Sequence, residues 1–265
     1  MHLPSSLDAI LESGALSVVF QPIVDGGPSV FTTRGVEGLV RDPNGSPLQS
    51  TSERLAPALL ERDEARVDRA CIGAAYGAAR GLPAPLVVAI DIHAATLCAD
   101  PDVMWFLLAT ARANGIATSR LAVKVVQHGP SWVDGRLAAA LARLRRTGVR
   151  LALDIDPAWS IERVILACRP DWLTVGARLV AAVRADEHGR ALMPSIAACA
   201  AAVGARVVAE GVGCAADIAG LARLGVALFQ GPVFSPAVAA RDVRLRLELP
   251  ASPADPVEIV PRVEA

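Results

Sequence analysis

The 265-residue sequence holds a single lysine, Lys124, and a single tyrosine; all other basic residues among its 26 are arginine. Such a skew is the usual mark of GC-rich coding, which also explains the abundance of Ala and Val. It makes the placement of the one lysine informative. No excess of positive charge is present, since the formal net charge is −1, and this argues against a nucleic-acid polymer as partner and against an acidic solvating arm. The five cysteines, Cys71, Cys98, Cys168, Cys199 and Cys214, are odd in number and form no CxxC or CxxxC pair. That spacing excludes a zinc ribbon and reads as scattered reduced thiols. The first residues carry Asp8 and Glu12 in place of a basic stretch followed by an apolar one, so no secretory signal is expected. No apolar run reaches the roughly 20 residues of a membrane span. The expectation is a cytoplasmic protein without a membrane partner.

What is present suits one compact unit. Hydrophobic residues make up 53% and charged ones 20%, a globular and not a disordered balance. The length matches one (β/α)8 barrel, typically about 250 residues. Short β-branched runs are read at 16–25, 34–41, 86–93, 121–128, 149–156, 172–176, 205–212 and 227–231, with helical patterns at 53–80, 100–114, 133–147, 161–169, 191–203 and 215–224. Gly81, Gly115, Gly148, Gly204 and Gly225 stand where left-handed helix caps are needed. The runs are nearly continuously apolar, as in Val87-Val88-Ala89-Ile90, which suits parallel strands buried on both faces. Alternating strands and helices leave a closed barrel or a doubly wound sheet. No glycine-rich phosphate turn follows the first strand, which disfavours the dinucleotide-binding type. Only residues 26–33 join the first two runs; too short for a helical crossover, they make that pair antiparallel. One barrel over 1–245 and a C-terminal extension over 246–265 are expected.

The polar residues of these runs gather at their C-terminal ends: Glu37, Asp91, His93, Lys124, Gln127, Asp154, Asp156, Glu210 and Gln230. In a barrel those ends form the mouth, where sites are built. Ionisable groups converging there are costly unless they pair or meet a ligand. His93 and His128 read either as a proton-transfer pair or as ordinary strand-end histidines.

Four segments in order resemble the EAL family of cyclic di-GMP phosphodiesterases. Phe20-Gln21-Pro22-Ile23-Val24-Asp25 is similar to the family's opening YQPIVD strand. Gly35-Val36-Glu37-Gly38-Leu39-Val40-Arg41 resembles the signature GxEALxR, with Gly38 replacing Ala. Val208-Ala209-Glu210-Gly211-Val212 resembles AEGVE up to its last residue, and Phe229-Gln230-Gly231, with Phe234-Ser235-Pro236, resembles the closing QGYxxxxP segment. The resemblance implies a modified TIM (β/α)8 barrel whose first strand is antiparallel. It also implies an activity that uses two Mg2+ or Mn2+ ions held by carboxylates and an amide.

Against that pattern the chain departs repeatedly. Glu37 is kept; the family's asparagine is Asp91, the two glutamates of its ExTE strand are Lys124 and Gln127, and its paired aspartates are Asp154 and Ile155. Its lysine falls on Thr174, the aspartate ending that segment on Gly176 and the last glutamate of AEGVE on Gly213. A one-residue slip would make Asp156 the kept carboxylate of the pair. A charged lysine has no lone pair for a metal, so loss of Mg or Mn binding is expected, with Lys124 lying among Glu37, Asp91 and Asp154 in its stead. The alternative is a lysine snorkelling from a strand end. The nucleotide-contact positions implied by the resemblance are Gln21, Glu37, Leu39, Arg41, Asp91, Asp154, Glu210, Gln230 and Pro236. Arg41 suits a phosphate or a structural bridge to Asp42. Three functions remain open at this point: a cyclic di-GMP receptor that does not hydrolyse its ligand, a protein-interaction regulator with no nucleotide, and a weak phosphodiesterase. A protein partner fits the first two, and a homodimer is left open.

Overall fold

A computed structural model describes residues 11, 16–26, 30–46, 48, 61–126, 135–155, 162–185 and 187–248. Eight strands close into a barrel: β1 (Ser17–Gly26), β2 (Val30–Arg41), β3 (Val87–His93), β4 (Leu121–Val126), β5 (Arg150–Ile155), β6 (Trp172–Val175), β7 (Arg206–Ala209) and β8 (Val226–Phe229). From β2 to β8 each strand lies parallel to its neighbour. β1 runs antiparallel to both β2 and β8 and closes the ring. This is the modified TIM barrel expected from the sequence, and the short link after Gly26 is its cause.

Helices among the described residues wrap the barrel. They are α1 (Glu61–Ala78), α2 (Ala94–Ala99), α3 (Val103–Ala113), α4 (Gly135–Arg146), α5 (Glu162–Cys168), α6 (Ala177–Ala185), α7 (Glu187–Val203) and α8 (Ala215–Arg223). The sequence reading missed α2 and α6. Each is under three turns long, too short for a helical apolar period to stand out. Gly115, Gly148, Gly204 and Gly225 do follow helices with positive φ, whereas Gly81 ends a 3-10 turn without it. A ninth strand, β9 (Arg246–Glu248), lies past the boundary expected at 245 and pairs antiparallel with β2. Thr33 anchors it through backbone and hydroxyl bonds to Leu245 and Arg244. The sequence reading passed over it because three residues carry no alternation to detect. The expected first turns of the helix at 53–80, before Glu61, and the tail at 252–265 lie outside the described residues.

Two apolar layers follow from strand alternation. One lies between barrel and helices and includes Val88, Ile90, Val123, Leu151, Leu153, Leu173 and Ile155. The other fills the lumen with Ile23, Val87, Ala89, Ala122, Ala152, Trp172, Val208 and Leu228. Alanines from β3, β4 and β5 leave room for Trp172, whose ring reaches towards Gly35 of β2; a Cβ there would lie 3.6 Å from it. Side chains of unequal size therefore plug the barrel below the mouth, as interior packing requires. β1 and β8 share only the Val24–Phe229 register. That thin seam is reinforced by the edge-on rings of Phe31 and Phe234, 4.9 Å apart, with Phe229 beside them.

Candidate functional site at the barrel mouth

One step up each strand from the lumen layer, the inward residues turn polar. Ala89 is followed by Asp91, Ala122 by Lys124, Ala152 by Asp154, Trp172 by Thr174, Val208 by Glu210 and Leu228 by Gln230, because residues two apart share a face. On β2, Glu37, Leu39 and Arg41 share the inward face by the same rule, and Gln21 of β1 stands opposite Glu37. The family positions scattered through the sequence thus form one ring.

Lys124 occupies its centre. Its ammonium donates a hydrogen bond to Glu37 Oε1 and one of 3.0 Å to Glu210 Oε1, and lies 3.3 Å from Asp91 Oδ1. The expected partner Asp154 is replaced in this contact set by Glu210; Asp154 acts on Lys124 through its charge. Gln230, 2% exposed, donates from Nε2 to Glu37 Oε2 and to Gln21 Oε1 at 3.1 Å. Gln230 Oε1 is buried with no hydrogen-bond partner among the described residues, and Asp91 Oδ1, though ion-paired with Lys124, makes no hydrogen bond to them. Most buried polar atoms are satisfied, so the Gln230 oxygen marks unmet acceptor capacity at the mouth.

The electrostatics follow from burying several acids around one base. Burial pushes Asp91 well above the usual carboxylate range against the pull of Lys124, and Glu37 and Glu210 push it further. The side-chain hydrogen bond between Asp91 and Glu37 acts in opposite senses on the two, raising Asp91 and lowering Glu37. Burial would raise Glu37 too, but Lys124, Gln230 and Asp91 together hold it below its ordinary value. Glu210 is raised to about 7, chiefly by burial. Burial alone would lower Lys124; Asp91, Glu210, Glu37 and Asp154 outweigh it and keep the ammonium charged well above neutrality.

Two glycines set the height of the ring. Gly211 follows Glu210 with φ +70, and a Cβ there would lie 2.4 Å from that of Ala177. Gly231 follows Gln230, and its Cβ would lie 2.2 Å from the Val212 carbonyl oxygen, which the bond from Val212 N to Gln230 O holds in place. Only glycine fits either position without moving backbone.

The remaining expected residues divide. Thr174 is buried beside Asp154 in register. Ile155 belongs to the layer facing the helices. Leu39 and Arg41 are half-buried and Pro236 is exposed. Arg41 makes no ion pair with Asp42, whose carboxylate instead accepts from the backbone of Asn44 and Ser46. Gly176 and Gly213 lie in half-buried loops. Gln127, His128 and Asp156 lie outside the described residues. His93 is held by a residue that sequence reasoning missed: buried Asp68 of α1 meets its Nδ1 at 2.8 Å and accepts from its backbone nitrogen at 3.0 Å. The signal was available. Asp68 interrupts the apolar stripe Cys71, Ile72 and Ala75 at helical spacing, and a charge on a buried face needs a partner.

Comparison with known proteins places this geometry. The EAL domain profile matches residues 5–237. BluF, the blue light- and temperature-regulated antirepressor of Escherichia coli (strain K12), is 25% identical over 152 residues, which cover 57% of this chain and 38% of BluF. The structure of Klebsiella pneumoniae BlrP1 with calcium and cyclic di-GMP matches with TM-score 0.77 and 24% identity, over 94% of this chain and 61% of that one. A standalone EAL protein from Vibrio cholerae O395, in its cyclic di-GMP-bound form, matches with TM-score 0.67 and 18% identity, over 83% of this chain and 91% of that one. This chain therefore spans well under half of BluF and about three fifths of BlrP1. The solved structures establish the fold, and the profile, which spans the barrel from β1 past β8, establishes that this chain belongs to the EAL domain family.

Proposed function

We propose that this chain binds cyclic di-GMP at the barrel mouth without hydrolysing it, as a metal-independent receptor. The observation that carries the reading is Lys124 Nζ in contact with Glu37, Asp91 and Glu210. Those carboxylates are the oxygen donors that a divalent ion would need. An ammonium already neutralises them and repels a dication from the same point. The donor set therefore does not fit a metal, and no hydrolytic step is derived through one.

Binding is supported by what stays available. Arg41 lies on the inward face of β2 with no hydrogen bond or ion pair to any described residue, and a guanidinium is well matched to a phosphate. The buried acceptor Gln230 Oε1, without a hydrogen-bond partner among the described residues, suits the N–H edge of a purine. Leu39 adds an apolar contact beside it. The solved relatives named above hold cyclic di-GMP, which adds fold-level analogy to that chemistry. Titration calorimetry with cyclic di-GMP, in Mg2+ and then in EDTA, tests the reading. Binding that EDTA leaves unchanged supports it. Binding that requires Mg2+, or release of a linear dinucleotide, overturns it.

A second reading has its own support. BluF is named as an antirepressor, a role exercised on a protein. If calorimetry shows no binding in either condition, a nucleotide-independent regulator of a protein partner is the function to pursue. No helix among the described residues is long and apolar enough to cross a membrane.

A further inference from the structure

We infer that the outer face of α3 is a self-association surface, on which a second copy of this chain docks antiparallel about a two-fold axis. The inference does not rest on the ligand reading, since α3 lies on the barrel wall between β3 and β4. Trp105 is 71% exposed, the most exposed large apolar side chain among the described residues. The inner face of the helix is committed: Val103, Leu107 and Ala111 are buried, and the Arg69 guanidinium covers the Phe106 ring at 4.9 Å. The outer face carries Trp105, Leu108, Ala109 and Arg112 at helical spacing along a shallow groove. Trp105 and Arg112 make no side-chain hydrogen bond, ion pair or ring contact with any described residue.

The spacing of this stripe is self-complementary. Trp105 and Arg112 lie equally far from the point between Leu108 and Ala109. About 10.5 Å of helix separates them, and the Arg112 guanidinium does not lie over the Trp105 ring of its own chain. A two-fold axis through that point sets each Trp105 against the partner's Arg112, giving a pair of cation–π contacts. Leu108 and Ala109 then meet at the axis, where the small alanine allows the helices to approach. Asp102, exposed one turn before Trp105, brings a carboxylate beside the incoming guanidinium. The antiparallel helix dipoles are favourably aligned. An isologous contact requires a surface that complements itself, and this stripe does so in shape and in charge.

Sedimentation velocity of the full chain over a wide concentration series tests the inference. A reversible dimer is expected, with its dissociation constant raised about tenfold or more by Trp105→Ala and by Arg112→Glu, because a two-fold interface loses each contact twice. Leu166→Ala, at an exposed apolar residue outside the stripe, should leave the dimer unchanged. Circular dichroism melts of the two stripe variants should match the parent. A monomer at every concentration overturns the inference, as does a dimer indifferent to both variants. Association of the stripe only with a different protein also overturns it, by assigning the face to that partner.

Discussion

The ammonium of Lys124, on β4, donates a 3.0 Å hydrogen bond across the barrel mouth to Glu210 Oε1, at the end of β7. β5 and β6 lie between these strands in the sheet, so the bond spans the mouth. It ties the chain's one lysine to a carboxylate 86 residues away in sequence. The charge balance of the site depends on that span.

Removing the cation should be costly. In Lys124→Met, buried Glu37 and half-buried Asp91 and Glu210 lose their common counter-ion. Breaking a buried pair from one side costs about 3–5 kcal/mol. Urea unfolding should show a loss of that order, and adding Glu37→Gln should restore part of it. A loss within about 0.5 kcal/mol, the range of an ordinary surface substitution, would mean that Lys124 does not hold the mouth together.

The raised Glu210 predicts a pH dependence with a definite sign. Its folded value is about 7 against 4.5 when unperturbed. Between these values the folded protein keeps a proton that the unfolded chain has released, so this group's contribution to stability falls as pH rises. Raised Asp91 acts in the same direction. Melting temperature should drop from pH 5 to pH 7 more steeply in the parent than in Glu210→Gln, which has no proton to lose. Identical slopes would place Glu210 in water and not in the buried ring.

Arg41→Ala separates ligand contact from folding. Arg41 supports no described contact, so melting should be unchanged. A charge-assisted hydrogen bond contributes about 1.5–3 kcal/mol, so the affinity for cyclic di-GMP should fall at least about tenfold in calorimetry. Unaltered affinity would remove Arg41 from the phosphate site.

Gly231→Ala should destabilise without touching a charge. Its Cβ would stand 2.2 Å from the Val212 oxygen, and overpacking of this kind costs about 1–3 kcal/mol. Gln230 should shift with it, weakening ligand binding alongside the melt.

Restoring acids at two family positions should not create an enzyme. In Lys124→Glu with Ile155→Asp, the second carboxylate enters the apolar layer that holds Ile155, and Thr174 and Gly213 are unchanged. No linear dinucleotide is expected with Mg2+ or Mn2+ by chromatography, and the double variant should melt lower than the parent.

Much of this was legible in the chain. Continuous apolar strands such as Val87-Val88-Ala89-Ile90 and the short link after Gly26 left a closed barrel or a doubly wound sheet with an antiparallel first pair, because burial on both faces and loop length are local constraints; the resemblance of four segments to the EAL family chose the barrel. Their position at the C-terminal ends of the apolar runs placed Glu37, Asp91, Lys124 and Glu210 at one end. The sequence could not say which of them touch. That Lys124 meets Glu210 in place of Asp154, that Asp68 holds His93, and that β9 extends the sheet beside Val30 depend on pairings between distant segments. Such pairings are set by strand register and closure, and no local pattern encodes them. The upward shift of Asp91 and Glu210 belongs to the same class, since it arises from burial against the pull of Lys124 and exists only once the barrel has closed.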